Sequence, residues 1–169
     1  MSRILDKKQL SENVFRMRLE APLIAQERKA GQFIILQLTE DFGERIPLTI
    51  ADADPVEGSI TIIFQTVGRT TRELAKLNVG DRCGALVGPL GAPTHVEHFG
   101  TVVCVGGGIG VAPMHPIAQA LKAAGLPPAG RYGVGMFFLP PDARGQEACQ
   151  RLVAGILADE GLPLLWWRE

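Results

Sequence analysis

Along the first half of the chain, apolar residues recur at every second position in short runs broken by turn residues. In "FRMRLEA", Phe15, Met17 and Leu19 fall on one side of an extended backbone and Arg16, Arg18 and Glu20 on the other. That is the period of a strand with one buried face. "GQFIILQL" (31–38), "RIPLTIA" (45–51) and "SITIIFQTV" (59–67) repeat the signal, with Ile60, Ile62 and Phe64 sharing a face. Clusters of Asp, Gly and Pro separate these runs, which argues for an antiparallel barrel. One stretch breaks the rhythm: "RTTRELAKL" (69–77) reads as a short helix with Leu74 and Leu77 on one side and Thr70 or Thr71 as its cap. "VGDRCGALVGPLGAP" (79–93) then returns to strand and turn chemistry.

The pattern changes near His98, and no acidic residue occurs between Glu97 and Asp142. "VCVGGGIGVAPMHPIAQAL" (103–121) runs from an apolar stretch through glycines into a helical pattern, the form of a strand that turns into a helix over a phosphate. It departs from the common dinucleotide fingerprint. Gly106 and Gly108 fit the first two positions, but the third falls on Val111, a glycine comes early at Gly110, and the acid for the ribose is missing. On these residues alone, a cofactor floor and a tight packing turn are equally good readings. Further on, "VGMFFLP" has the pattern of a buried strand and "GQEACQRLVAGILADEG" that of a helix stopped by Gly161. The chain thus divides into a barrel (1–97), a first βα unit (98–125) and an atypical strand-helix tail (126–169).

Charge and composition narrow the function. A length of 169 residues fits one ordinary domain or two small ones. The net charge of −1 gives no reason to expect nucleic acid or an anionic membrane as partner. No uninterrupted apolar segment reaches the roughly 18–20 residues that span a bilayer. "MSRILDKKQL" carries charges where a signal peptide needs an apolar region, so the expected location is the cytoplasm. Cys83, Cys104 and Cys149 form no Cys-x-x-Cys and read as reduced thiols. His95, His98 and His115 have no carboxylate or thiol at metal spacing, so no metal site is expected. Trp166 and Trp167 lack a basic groove and read as core or interface residues.

Two stretches suit anion chemistry. Arg45 opens a strand that Pro47 interrupts, and "VGRTTREL" places Gly68 at a helix start whose free N–H groups favour phosphate. A surface arginine and an ordinary capped helix account for the same residues.

"ERIPLTIAD", "ITIIFQTVGRTTREL", "VGPLG" and "GGGIGVAP", in that order, closely resemble the ferredoxin-NADP reductase-like flavoproteins over about residues 1–125. The branch is that of the FAD subunit of NADH-dependent ferredoxin:NADP oxidoreductase, the sulfide dehydrogenase flavoprotein subunit and the dihydroorotate dehydrogenase electron-transfer subunit. The resemblance implies a six-stranded antiparallel Greek-key β-barrel that binds FAD, followed by a truncated α/β nucleotide-binding domain. It implies that Arg45 faces the diphosphate, that Ile46, Pro47 and Leu48 run along the isoalloxazine, and that Thr49 offers its hydroxyl near the flavin N5 as the catalytic residue. Ile63, Phe64 and Gln65 would pass the adenosine side, and Gly68, Thr70 and Thr71 would hold phosphate. Gly106, Gly107, Gly108, Gly110, Ala112 and Pro113 would form the floor for NAD(P)H, a site the chain carries only in part. The family's cysteine cluster for a [2Fe-2S] centre has no counterpart, so none is expected.

The tail resembles a stretch of the amidotransferase domain of the glutamate synthase large subunit, which uses an N-terminal cysteine as nucleophile. This chain opens Met-Ser, so amidotransferase activity is not expected. The resemblance as a whole implies an oxidoreductase that passes electrons between NAD(P)H, flavin and a partner, either a larger reductase or a glutamate synthase-like subunit. Turnover would be impaired by the shortened nucleotide domain. The alternative is a non-catalytic interaction module or a nonfunctional fusion fragment.

Overall fold

The computed structural model describes residues 1–39, 43–97, 102, 104 and 108–124. The tail, Gly106, Gly107 and His98 lie outside them, as does most of the strand expected before the glycines. Seven strands, β1 (Ser2–Ser11), β2 (Val14–Glu20), β3 (Phe33–Gln37), β4 (Arg45–Asp54), β5 (Ser59–Gln65), β6 (Arg82–Cys83) and β7 (Ala85–Leu90), form one sheet in the order β6-β1-β2-β5-β4-β3-β7. Every pairing is antiparallel. After β2 the chain crosses over, and the meander β3-β4-β5 brings β5 back beside β2, which is a Greek key.

Alternation dictates this arrangement. On the β2/β5 ladder Leu19 faces Ile60, Met17 faces Ile62 and Phe15 faces Phe64. All but Phe15 are at most 2% exposed, and the rings of Phe15 and Phe64 stack with centroids 5.9 Å apart. Ile34 and Leu36 from β3 and Ile50 from β4 complete the core. Arg16 and Arg18 take the opposite face.

The sheet has seven strands where six are expected because the closing strand changes partners. Arg82 and Cys83 pair with β1, Ala85 to Leu90 pair with β3, and only Gly84 separates them. Residues 82–90 therefore join the two edges of the sheet and leave the barrel nearly closed, which hides edges that would otherwise invite pairing. β1 has no counterpart among the expected strands. Ile4 is its one buried residue, and its run of charges gives no alternation to read.

Three helices complete the described fold. α1 (Pro22–Glu27) starts with proline at its first turn and buries Ile24 and Ala25. α2 (Arg69–Leu74) closes one end of the barrel with Leu74, which is fully buried. α3 (Val111–Ala123), entered through a 3-10 turn at Gly108–Gly110, packs against β4 and buries Ala112 and Pro116. No described helix is long and apolar enough to cross a membrane.

Gly91 sits at φ +82, where a Cβ would lie 2.8 Å from Phe33 Cε1. A Cβ on Gly80, at φ +96, would meet no described residue within 4 Å. Gly91→Ala should therefore destabilise the fold by about 2–3 kcal/mol, through strain plus overlap, and Gly80→Ala by about 1 kcal/mol, through strain alone. Urea unfolding midpoints of the two variants check the ranking.

Candidate functional site

The candidate site arises where two neighbouring strands part. β4 and β5 pair from Asp54/Ser59 to Ile50/Ile62, with an irregularity between Ile50 and Asp52. Beyond that point Arg45 to Thr49 stay in register with β3, while Ile63 to Gln65 stay with β2. A slot therefore opens between Arg45–Thr49 and Ile63–Gln65. Pro47 is tolerated on an interior strand because its ladder on the β5 side has already ended.

Side chains along β4 alternate. Arg45, Pro47 and Thr49 point outward, whereas Ile46 and Leu48 pack against the core. Arg45 Nε donates to Oε1 of the buried Gln37, 3.2 Å away on β3. Among the described residues Arg45 forms no ion pair. On β5 the Phe64 side chain turns into the core, so only its main chain borders the slot; Ile63 and Gln65 face outward.

α2 follows directly on β5. Its N-cap is Gly68 rather than a threonine, because the hydroxyl of Thr71 closes the turn from the other side. Thr71 Oγ1 accepts from the Gly68 N–H and donates to the Gly68 carbonyl, each at 3.1 Å. Thr70 is buried, and its hydroxyl donates to the carboxylate of Glu44, the residue before Arg45. That bond crosses 26 positions of sequence and holds the helix start against the start of β4.

The glycine turn reaches the barrel from the other side. A cavity of about 910 Å³ lies between the outer face of the sheet and the start of α3. It brings Ile63 and Gln65 together with Gly108 and Ala112; Arg45, Pro47, Thr49, Gly68, Thr70 and Thr71 do not line it. Pro113 is half-buried in the first turn of α3, and Gly110 is the N-cap.

Sequence reasoning missed four residues here. Gln37 and Glu44 anchor Arg45 and Thr70. Arg16 and Arg18 line the cavity, paired with Asp6 at 2.5 Å and with Glu57. Alternation already placed both arginines on the outer face, but no local signal says that α3 covers that face. The Arg16 guanidinium, through its hydrogen bond to Asp6, holds that carboxyl below its usual range.

Glycine environments separate structure from site. A Cβ on Gly88 or Gly91 would come within 2.8 Å of another side chain, so packing explains them. Among the described residues, a Cβ on Gly68 would meet nothing nearer than Thr71 Oγ1 at 3.8 Å, and on Gly108 or Gly110 nothing within 4 Å. Gly108, at φ +52, has a backbone reason to be glycine; Gly68 and Gly110 do not, and no described residue crowds the space before them. Among the described residues no group of three or more His, Cys, Asp or Glu could hold a metal.

Comparison with known proteins gives two likenesses. The chain is 44% identical over 125 residues to the dihydroorotate dehydrogenase B (NAD(+)) electron transfer subunit homolog of Thermotoga maritima, covering 74% of this chain and 44% of the relative. Over about three quarters of its length the chain is thus similar to dihydroorotate dehydrogenase B electron transfer subunits. The Lysinibacillus sphaericus subunit is 33% identical over 129 residues, covering 73% and 49%. Among solved structures, the NADH-dependent reduced ferredoxin-NADP oxidoreductase, described for flavin-based electron bifurcation, superposes with a TM-score of 0.72 at 42% identity. It covers 74% of this chain and 45% of that one. The barrel is thus of the ferredoxin reductase type, and the chain spans less than half the length of these relatives. Residues 89–169 match the class-II glutamine amidotransferases, the second likeness.

The cysteine nearest the barrel seam is no nucleophile. Cys83 is fully buried, and burial pushes its thiol up to about 11 from an ordinary value of 9.0. Ionisation is thus favoured in the unfolded chain. The stability contributed by the neutral thiol is complete below pH 9 and is lost as pH rises toward 11. Urea midpoints of wild type and Cys83→Ala compared across that window should show the steeper alkaline decline in the wild type.

Proposed function

We propose that the chain carries the flavin-holding barrel of an electron-transfer subunit, which binds FAD and exchanges electrons with a nicotinamide nucleotide and a partner protein. The hydrogen bond from Thr70 to Glu44 carries this reading, because it joins the two anion-suited stretches into one surface. Homology to electron transfer subunits and the flavin chemistry of the structural relative support it. The residues fit the cofactor. The slot between β4 and β5 admits a flat ring system against Pro47, Thr49 and exposed main chain; Arg45 stands at its end; and the open space at Gly68 leaves the first N–H groups of α2 accessible to phosphate. When bound, FAD supplies the redox chemistry.

This chain's own residues orient and exclude. Gln37 fixes the Arg45 guanidinium at Nε and leaves its terminal nitrogens for a diphosphate. Thr49 places a hydroxyl on the outward face opposite Phe33 in register, where it would be offered as a hydrogen-bond donor near the flavin N5. Leu48 and Ile46 seal the slot's floor to water by packing on the core. The floor at Gly108, Gly110, Ala112 and Pro113 would take the nicotinamide nucleotide, with Ile63 and Gln65 as the facing wall. The partner would be a larger redox subunit.

Titrating FAD into the purified protein should quench flavin fluorescence with one cofactor per chain. Arg45→Ala should weaken binding by about tenfold, the scale of one charge-assisted phosphate contact, with the fold intact by circular dichroism. A folded wild-type protein that takes up no FAD would refute the reading. Adding NADH anaerobically to the FAD-loaded protein should bleach its visible absorbance only slowly, and Ala112→Trp, which puts an indole into one side of the cavity, should slow the bleaching further.

A further inference from the structure

Lys7 is out of place by the rules that formed β1. Its register partner on β2 is Met17, which is fully buried, so the two side chains share the inward face of the barrel. An inward lysine is costly unless its ammonium is satisfied. Here it is: Lys7 Nζ donates to the carbonyls of Ala75 and Leu77, at 2.6 and 2.8 Å, and lies 5.6 Å from the centre of the Phe15 ring. Those carbonyls belong to the exposed-carbonyl end of α2 and the residues just after it, where a cation opposes the partial negative charge of the helix terminus.

The chain beyond is stapled to the same strand by main-chain bonds, from Gly80 N–H to the Ile4 carbonyl and from Ile4 N–H to the Asp81 carbonyl, both 2.9 Å. Those bonds fix the exit of the segment; the helix itself rests on the buried Leu74 and, among the described residues, on polar side-chain contacts at its two ends, Lys7 at the last turn and Glu44–Thr70 at the first. α2 has only six residues and cannot hold its own orientation.

We infer that Lys7 is a positioning residue: by gripping the end of α2 it sets the angle at which Gly68, Thr70 and Thr71 meet the cofactor's phosphates. The inference rests on the FAD reading above. Lys7 holds the far end of α2 and not its first turn, so its effect must pass through the helix and fall on the phosphates rather than on the flavin ring.

Lys7→Met keeps the aliphatic stem against Phe15 and removes the donors; Lys7→Arg keeps a cation within reach of the carbonyls. Affinities for FAD and for riboflavin, which has the ring system and no phosphate, are measured for all three proteins. Lys7→Met should weaken FAD by about five- to twentyfold and riboflavin by less than about twofold, and Lys7→Arg should recover most of the FAD affinity. In the FAD-free proteins the amides of Arg69 to Thr71 should exchange with solvent faster in Lys7→Met, which tests the grip without any ligand. Unchanged FAD affinity, equal loss for both flavins, or unchanged exchange in Lys7→Met overturns the inference. A wild type that binds no FAD instead overturns the cofactor reading itself, and the role of Lys7 in it.

Discussion

The separation of β4 from β5 beyond Ile50 and Ile62 is the constraint on which the site depends. In a barrel whose ladders all ran to their ends, the main chain of Arg45–Thr49 and of Ile63–Gln65 would be consumed by pairing. Here each stretch keeps one neighbour and presents its other edge to the gap. Unpaired edges are a liability in most sheets, because any extended chain can add to them. The fold limits that risk by setting α2 directly after β5 and tying its first turn to Glu44, so the gap is bounded rather than open along its length. Closure on the far side is equally economical. One bent strand, 82–90, serves both edges of the sheet, and a single hydrogen bond from Gly84 N–H to the Leu38 carbonyl marks the residue where it changes partners.

Much of this was legible in the sequence. Residues with one buried and one wet face announce themselves by alternation, so β2 to β5 and their inward residues follow from spacing alone. The stretches Arg45–Thr49 and Gly68–Thr71 stood out for the same reason: Pro47 and Gly68 break local rules that the surrounding pattern obeys, and rule-breaking concentrates at sites. Other parts were hidden. β1 buries little except Ile4, since one of its neighbours is the two-residue β6, and a strand with no dry face carries no period. α1 is too short at six residues for a helical period to develop. Gln37 acts across a strand pair and Glu44 across to α2, and such pairings leave no trace in either local segment.

The capping of α2 shows how a correct local reading still misassigns a residue. Threonine is a favoured N-cap, and two occur at the right place. The barrel spends them otherwise: Thr70 is drawn inward to Glu44 and Thr71 reaches back to Gly68, so glycine is left at the cap. A glycine cap is slightly less stable than a threonine one but puts no side chain before the first N–H groups. Local helix stability is thereby traded for an uncovered first turn, a trade that would suit the phosphate role proposed for it.

The last residues of β5 then tie the two halves of the site together. Phe64 is locked inward by its stack on Phe15; its main chain borders the slot toward β4; and the flanking side chains of Ile63 and Gln65 form the wall of the cavity under α3. Three consecutive residues thus face the core, the slot and the cavity at once. A ligand in the slot and a ligand in the cavity would rest on the same short piece of backbone, and neither could move that piece without disturbing the stacked Phe15–Phe64 pair. Rigidity at Phe64 therefore fixes the separation between the two sites, the quantity that governs transfer between groups bound in them. Because β5 meets β2 along its full length, that separation is set by the barrel's central ladder rather than by α3.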